Sequence, residues 1–255
     1  MEYYSFLDEI EKEEMKKMAD EIDSEEAYYT IQDALKNLDY TRLVEKRELI
    51  EKQIEKREDL SPLAQKYWSY KIENSRTQDT LRKLQYRISY LSAEDKEQLE
   101  QIKIWEKEDI LQDDFFTKEE REMQIKTLQA LIYQEGVYSF LFQRNEERKE
   151  RYFQTIQESS KLIDITTFLS EKEKQYFISL LAKVETKAKM KEIVQKAKRK
   201  NYSYEEQRIS QKKEAILTAV RDSSLEEKWI YQIQEAKYIA ELEAIIEQLK
   251  WQFDQ

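Results

Sequence analysis

One glycine, Gly136, and one proline, Pro62, have to serve a chain of 255 residues. Tight β-turns, phosphate-cradling loops and left-handed helix caps all draw on glycine, because only a residue without Cβ enters that backbone region freely. A chain this poor in both residues has little material for hairpins or bent strands. The rest of the composition agrees: 38% of residues are charged and 40% hydrophobic, the balance of a helix-rich or coiled-coil-like chain. The 12% aromatics, with 17 Tyr, supply the bulky apolar groups that disordered chains lack. Alternation of apolar and polar residues, the mark of a half-buried strand, is nowhere sustained. The expected fold class is all-α.

Chemistry is narrowed by what is missing. The chain has no His and no Cys, which excludes imidazole acid–base catalysis, Ser–His relays, thiolate nucleophiles and Cys-ligated metal centres. A single glycine cannot supply a dinucleotide or P-loop fingerprint. Carboxylate pairs at helical spacing, such as Glu9/Glu13 and Glu119/Glu122, are what any solvated face of so Glu-rich a chain produces. The expectation is a non-enzymatic protein with no catalytic residue, no metal and no cofactor. The opening "MEYYSFLDEIEKEEM" is acidic and lacks the apolar stretch of a signal peptide. No apolar run approaches the roughly 20 residues that span a bilayer. A cytoplasmic protein without a membrane partner is expected. A net charge of −10 repels polyphosphate at long range, so direct nucleic-acid binding is not expected.

The chain repeats. "DLSPLAQKYWSYKIENSRTQDTLRKLQYRI" (59–88) aligns at an offset of 109 with the stretch that begins "FLSEKEKQYFISLLAKVETKAKMKEIV" (168–194), pairing Leu60 with Leu169, Ile72 with Leu181, Thr77 with Thr186 and Leu84 with Ile193. A weaker copy, "FFTKEEREMQIKTLQALIYQEGVYSFL" (115–141), lies between them; a first begins at "FLDEIEKEEM" and a fifth at "SLEEKWIYQIQEAKYIAELEAII". Helix-start residues keep the same beat: Asp8, Ser61, Thr117, Ser170 and Ser224 each precede an amphipathic run, as N-caps whose oxygen accepts an orphan N–H. Asp8/Glu11, Thr117/Glu120, Ser170/Glu173 and Ser224/Glu227 have capping-box spacing, whereas the second copy places Pro62 at the first helical position. Ser24, Thr77 and Thr186 mark a second helix. Stretches such as 40–58 and 202–221 are amphipathic and read as a third. The prediction is a tandem array of about five divergent three-helix units, elongated or curved, at 1–38 (partial), 39–90, 91–145 (the most degraded), 146–201 and 202–255. Breaks are expected near 22–24, 60, 75–77, 91, 115–117, 168–169, 184–186 and 222–224. Leu169, Leu181 and Ile193 are expected in the core, with Trp68, Phe177 and Trp229.

The segments 168–201 and 224–248 resemble the GA module, the protein G-related albumin-binding three-helix module of Gram-positive surface proteins. The L-S-x-x-E-K opening, an apolar position before a Thr-led turn and an A-x-[ML]-x-x-I-[VI] closing helix carry the resemblance. It implies a three-helix bundle and, by analogy, attachment to a protein surface.

Charge and aromatics give candidate surfaces. Residues 8–26 hold ten acids against three bases, and 106–122 hold eight against three. Each reads as a solvated face or as an acidic surface fitted to a basic groove. The opposite pole is 187–200, seven bases to one acid. The candidate partner-binding residues are Glu9, Glu13, Asp20, Glu21, Tyr28 and Tyr29, and the candidate basic patch is Lys189, Lys196 and Lys200. Tyr28–Tyr29 and Tyr202/Tyr204 should each turn at least one ring outward. The expected function is binding of another, unidentified protein. Two alternatives stand beside it: an acidic inhibitor or nucleic-acid mimic that blocks a nucleic-acid-binding enzyme, and an albumin-type surface binder lacking its export signal.

Overall fold

The computed structural model describes residues 4–20, 24–91, 95–219 and 227–253. Among these lie eleven helices and no strand: α1 (Glu9–Asp20), α2 (Glu25–Glu55), α3 (Pro62–Asn74), α4 (Gln78–Tyr90), α5 (Asp95–Gln112), α6 (Lys118–Ala130), α7 (Gln134–Asp164), α8 (Glu171–Leu181), α9 (Lys187–Ala219), α10 (Glu227–Glu235) and α11 (Ile239–Phe253). The protein is all-α.

The turns are made without glycine. No described residue has a positive φ. A helix instead ends in extended backbone and the next begins from it: Ser75 (ψ 137°) closes α3 and Thr77 (ψ 153°) opens α4, while Leu131 (ψ 127°) closes α6 and Tyr133 (ψ 141°) opens α7. Any L-residue adopts that region, so a three-residue link needs no special residue. Gly136 lies inside the first turn of α7 rather than in a bend.

The cap residues expected from sequence act as caps. The backbone N–H three residues on donates to the side chain of Asp8, Ser24, Ser61, Thr77, Thr117, Ser170 and Thr186. Asp8, Thr117 and Ser170 also receive the reciprocal bond from Glu11, Glu120 and Glu173, whose carboxylates accept the cap N–H. Ser224 and the break at 222–224 lie outside the described residues, as do 22 and 23. The other expected breaks are present; two further breaks, at 131–133 and 236–238, were not anticipated.

A clamp recurs on top of the caps. Arg42 of α2 donates to Glu11 and to the Phe6 carbonyl at 3.1 Å. Arg151 of α7 repeats this 109 residues on, with Glu120 at 2.7 Å and the Phe115 carbonyl at 3.1 Å. In α9, Lys200 and Tyr204 each reach Glu173 at 2.6 Å. The incoming loop is tied as well: Asp39 accepts the Phe6 N–H at 2.9 Å and Asn201 the Phe168 N–H at 2.8 Å. The second copy has Ala64 where the others have the clamped acid. There the second helix is split into α4 and α5, and Arg57 instead caps the end of α4 through the Ile88 carbonyl at 2.9 Å and that of Leu91.

The tandem three-helix organisation is not confirmed by these boundaries. The stretches read as third helices continue the second: 40–58 runs on from α2 and 202–221 from α9, and the divisions expected at 38/39, 145/146 and 201/202 fall within α2, α7 and α9. Each long helix instead serves two cores. On α2, Leu35 packs with Tyr4 and Leu7, while Ile50 and Ile54 join the large central cluster. On α7, Val137 and Leu141 face that cluster, and Tyr152 and Ile163 the next. On α9, Met190 and Ile193 belong to the second cluster, and Ile209 and Ile216 to a third with Trp229 and Leu242. Trp68, Phe177, Trp229, Leu169, Leu181 and Ile193 are all buried. Burial of one such side chain is worth about 1.5–3 kcal/mol, so sharing a helix lets short units hold cores too small to stand alone.

Candidate functional site

The residues first assigned to partner binding do not converge on one constellation. Glu9 and Glu13 lie on the exposed side of α1, and Glu9 pairs with Lys12 at 2.7 Å. Asp20 closes α1, but its side chain lies outside the described residues, as does Glu21 altogether. Tyr28 is partly exposed and meets Tyr29 edge-on with centroids 5.5 Å apart; the Lys172 ammonium lies 5.9 Å from the Tyr29 ring. On α9, Lys189 is exposed, Lys196 pairs with Glu192 at 2.9 Å, and Lys200 is held by Glu173. Burial works against the Lys200 charge, but the Glu173 carboxylate outweighs it and raises the ammonium above its ordinary value. Lys200 therefore belongs to the clamp.

The acidic stretch 106–122 is only partly a surface. Glu106 and Asp113 are buried, and both line a cleft of about 250 Å³ between α3, α4, α5, α7 and the turn before α9. Asp109 accepts from Lys71 at 2.9 Å, Lys83 at 2.6 Å and Arg87 at 2.7 Å. Burial pushes its carboxyl up, but Lys71 and Arg87 more than compensate and hold it far below the usual carboxylate range. Asp113 accepts from Arg144 at 2.5 Å and Arg148 at 3.1 Å. Asp114, its neighbour, takes the first N–H groups of α9, Lys187 and Ala188, at 2.8 and 2.7 Å.

Across this cleft the second and fourth copies meet through equivalent turns. Glu185 accepts the N–H groups of Arg76 and Thr77 at 2.5 and 3.1 Å, together with the Thr80 hydroxyl. It stands 109 residues beyond Arg76, at the corresponding place in its own copy. Arg76 returns a bond to the Ala182 carbonyl at 3.2 Å and lies 4.6 Å from the Tyr152 ring centroid. A carboxylate on the start of a helix favours both the orphan N–H groups and the helix dipole.

The third and fifth copies fill the same turn differently. Where the second and fourth have Thr77 and Thr186, they have Tyr133 and Tyr238. Tyr133 is 74% exposed and provides no side-chain cap. Tyr238 is 60% exposed, and Glu241 accepts its N–H in place of a cap. Tyr86 and Tyr90 add a second outward feature on α4, both exposed with ring centroids 4.8 Å apart.

With this geometry described, comparison with family models, with curated proteins and with solved structures finds no match for the chain. No helix among the described residues is long and apolar enough to cross a membrane.

Proposed function

We propose that this is a non-enzymatic helical-repeat protein of the cytoplasm that binds another protein. The observation that carries the reading is the exposed tyrosine at the shared turn of the third and fifth copies. Replacing a Ser or Thr cap normally costs about 0.5–2 kcal/mol, and a ring 74% exposed at Tyr133 recovers little of it by burial. Folding gives no reason for Tyr133; recognition does, since Tyr offers a large amphipathic area with few rotors to freeze. The third and fifth copies would present Tyr133 and Tyr238 as separate anchors on one extended array, and attachment to a protein surface is what the module resemblance also implies.

The direct test replaces Tyr133 and Tyr238 by Thr, the residue of the other copies. The double variant should be at least as stable as the parent and should lose capture of the partner in pull-downs from the native cell. Undiminished capture by the double variant would sink the reading. The acidic-mimic alternative is supported by the exposed Glu9 and Glu13 of α1. It predicts that reversing those charges slows association, that added salt does the same, and that the captured species is a nucleic-acid-binding enzyme.

A further inference from the structure

We propose that the cleft between the second and fourth copies is a binding site for a small phosphate-bearing anion. Its wall carries seven Lys or Arg residues and four Asp or Glu residues, a surplus of +3 (seven less four) in a chain whose net charge is −10. Glu106 and Asp113 are buried, and the acids are already shared: Asp109 serves three cations, and Asp113 two. Two cations, Arg76 and Lys149, have no carboxylate within ion-pair distance among the described residues; Arg76 rests on Tyr152, and Lys149 lies 5.6 Å from the Tyr70 ring.

Asn145 on the cleft wall keeps a buried amide nitrogen without a hydrogen-bond partner among the described residues. These donors are satisfied together by one kind of ligand, an anion with several acceptor oxygens. Guanidinium forks suit phosphate oxygens in pairs, and a concave positive site concentrates field on a small anion even when the whole molecule is negative. A cleft of about 250 Å³ falls below the range of drug-sized pockets and suits an oligophosphate or the phosphate end of a nucleotide.

The test is titration calorimetry and thermal unfolding of the full chain with pyrophosphate, and separately with ADP, against sodium chloride at matched ionic strength. Saturable binding and a raised unfolding midpoint are expected with pyrophosphate. Similar affinities for the two probes would assign the site to a free oligophosphate, and tighter ADP binding to a nucleotide; either supports the site. Arg76→Gln with Lys149→Gln should weaken binding by about tenfold or more, since a hydrogen bond to a charged group is worth roughly 1.5–3 kcal/mol. Lys149→Gln alone, which disturbs no ion pair among the described residues, should weaken it less and serves if the double variant does not fold. Lys189→Gln with Lys196→Gln, on the outside of α9, should change nothing. A response no different from chloride, or equal affinity in the parent and the cleft variants, overturns the proposal.

Discussion

The turn that opens α4 and the turn that opens α7 occupy the same place in the repeat, yet one is locked and the other bare. At 75–77 a Thr cap is joined by the Glu185 carboxylate from the fourth copy, and both turns sink against a network of buried ion pairs. At 131–133 there is no side-chain cap, and Ile132 and Tyr133 are 70% and 74% exposed. The backbone at the ends of the two links is nevertheless alike. Extended backbone at the link is enough to make the turn, so the side chains there are free to serve other ends: in one pair of copies they join the repeat to itself, in the other they face outward.

The largest break in this comparison should come from beneath the locked turns. Asp113 is the only acidic partner of buried Arg144 among the described residues. Asp113→Ala leaves that guanidinium buried and unpaired, which typically costs about 3–5 kcal/mol. Urea unfolding should show the loss as a lower midpoint with a similar slope.

Equivalent substitutions in the two turns should then diverge. Glu185→Ala strips two backbone N–H groups and a hydroxyl of their acceptor, and half-buried donors left without partners cost about 1–3 kcal/mol. Ile132→Ala, at the matching position of the third copy, removes an exposed side chain and should fall within about 0.5 kcal/mol of the parent. Equal costs at the two positions would mean that the turns are not distinguished in the way described.

Much of this was legible in the sequence, and the reason is range. Caps act over three residues, so Asp8, Thr117 and Ser170 announced their helices, and matched burial at Leu60/Leu169 and Ile72/Leu181 followed from the repeat offset. The stretches 40–58 and 202–221 have the apolar spacing of helices in their own right, and that spacing does not show whether a helix begins there or continues. In the fold Asp39 and Asn201 sit mid-helix at these junctions, and each spends its side chain on a loop more than thirty residues away, at Phe6 and at Phe168. The turn at 131–133 was invisible because Leu, Ile and Tyr carry no turn chemistry. The cleft left no local trace either: Lys71, Glu106 and Arg148 lie on three helices and Asp113 in the link after α5, and nothing in the spacing of 106–122 separates its buried acids from its solvated ones.

The clamp offers a gentler probe. Arg151, first, and the Thr117 N–H lower the Glu120 carboxyl to about 2, against roughly 4.3 for an unfolded Glu. Because the folded value is depressed, the contribution is fully present above the unfolded pKa and is lost as pH falls from there toward about 2. The exposure of Glu120 keeps it small. Unfolding midpoints measured from pH 5 to 2 should fall more steeply for the parent than for Glu120→Gln. Glu11 and Glu173 are lowered in the same direction, Glu11 chiefly by Arg42, so Glu120→Gln should flatten the profile only in part.

The smallest expected effect tests the bare turn from inside the helix it starts. Gly136 lies in the first turn of α7 and does not have a positive φ. A Cβ there would meet only Leu131 Cδ2, at 3.4 Å, an ordinary contact. Glycine inside a helix is about 0.5–1 kcal/mol less favourable than alanine, mainly because the unfolded chain loses freedom when a side chain is added. Gly136→Ala should therefore stabilise the protein by about that amount. A destabilised variant would show that Leu131 cannot yield a few tenths of an ångström, and that the bare turn is packed as firmly on its inner side as the locked turn is bonded. A gain of the expected size leaves the contrast intact: the 131–133 link is held by backbone geometry, by the half-buried Leu131 and by the helices on either side, with Ile132 and Tyr133 left exposed.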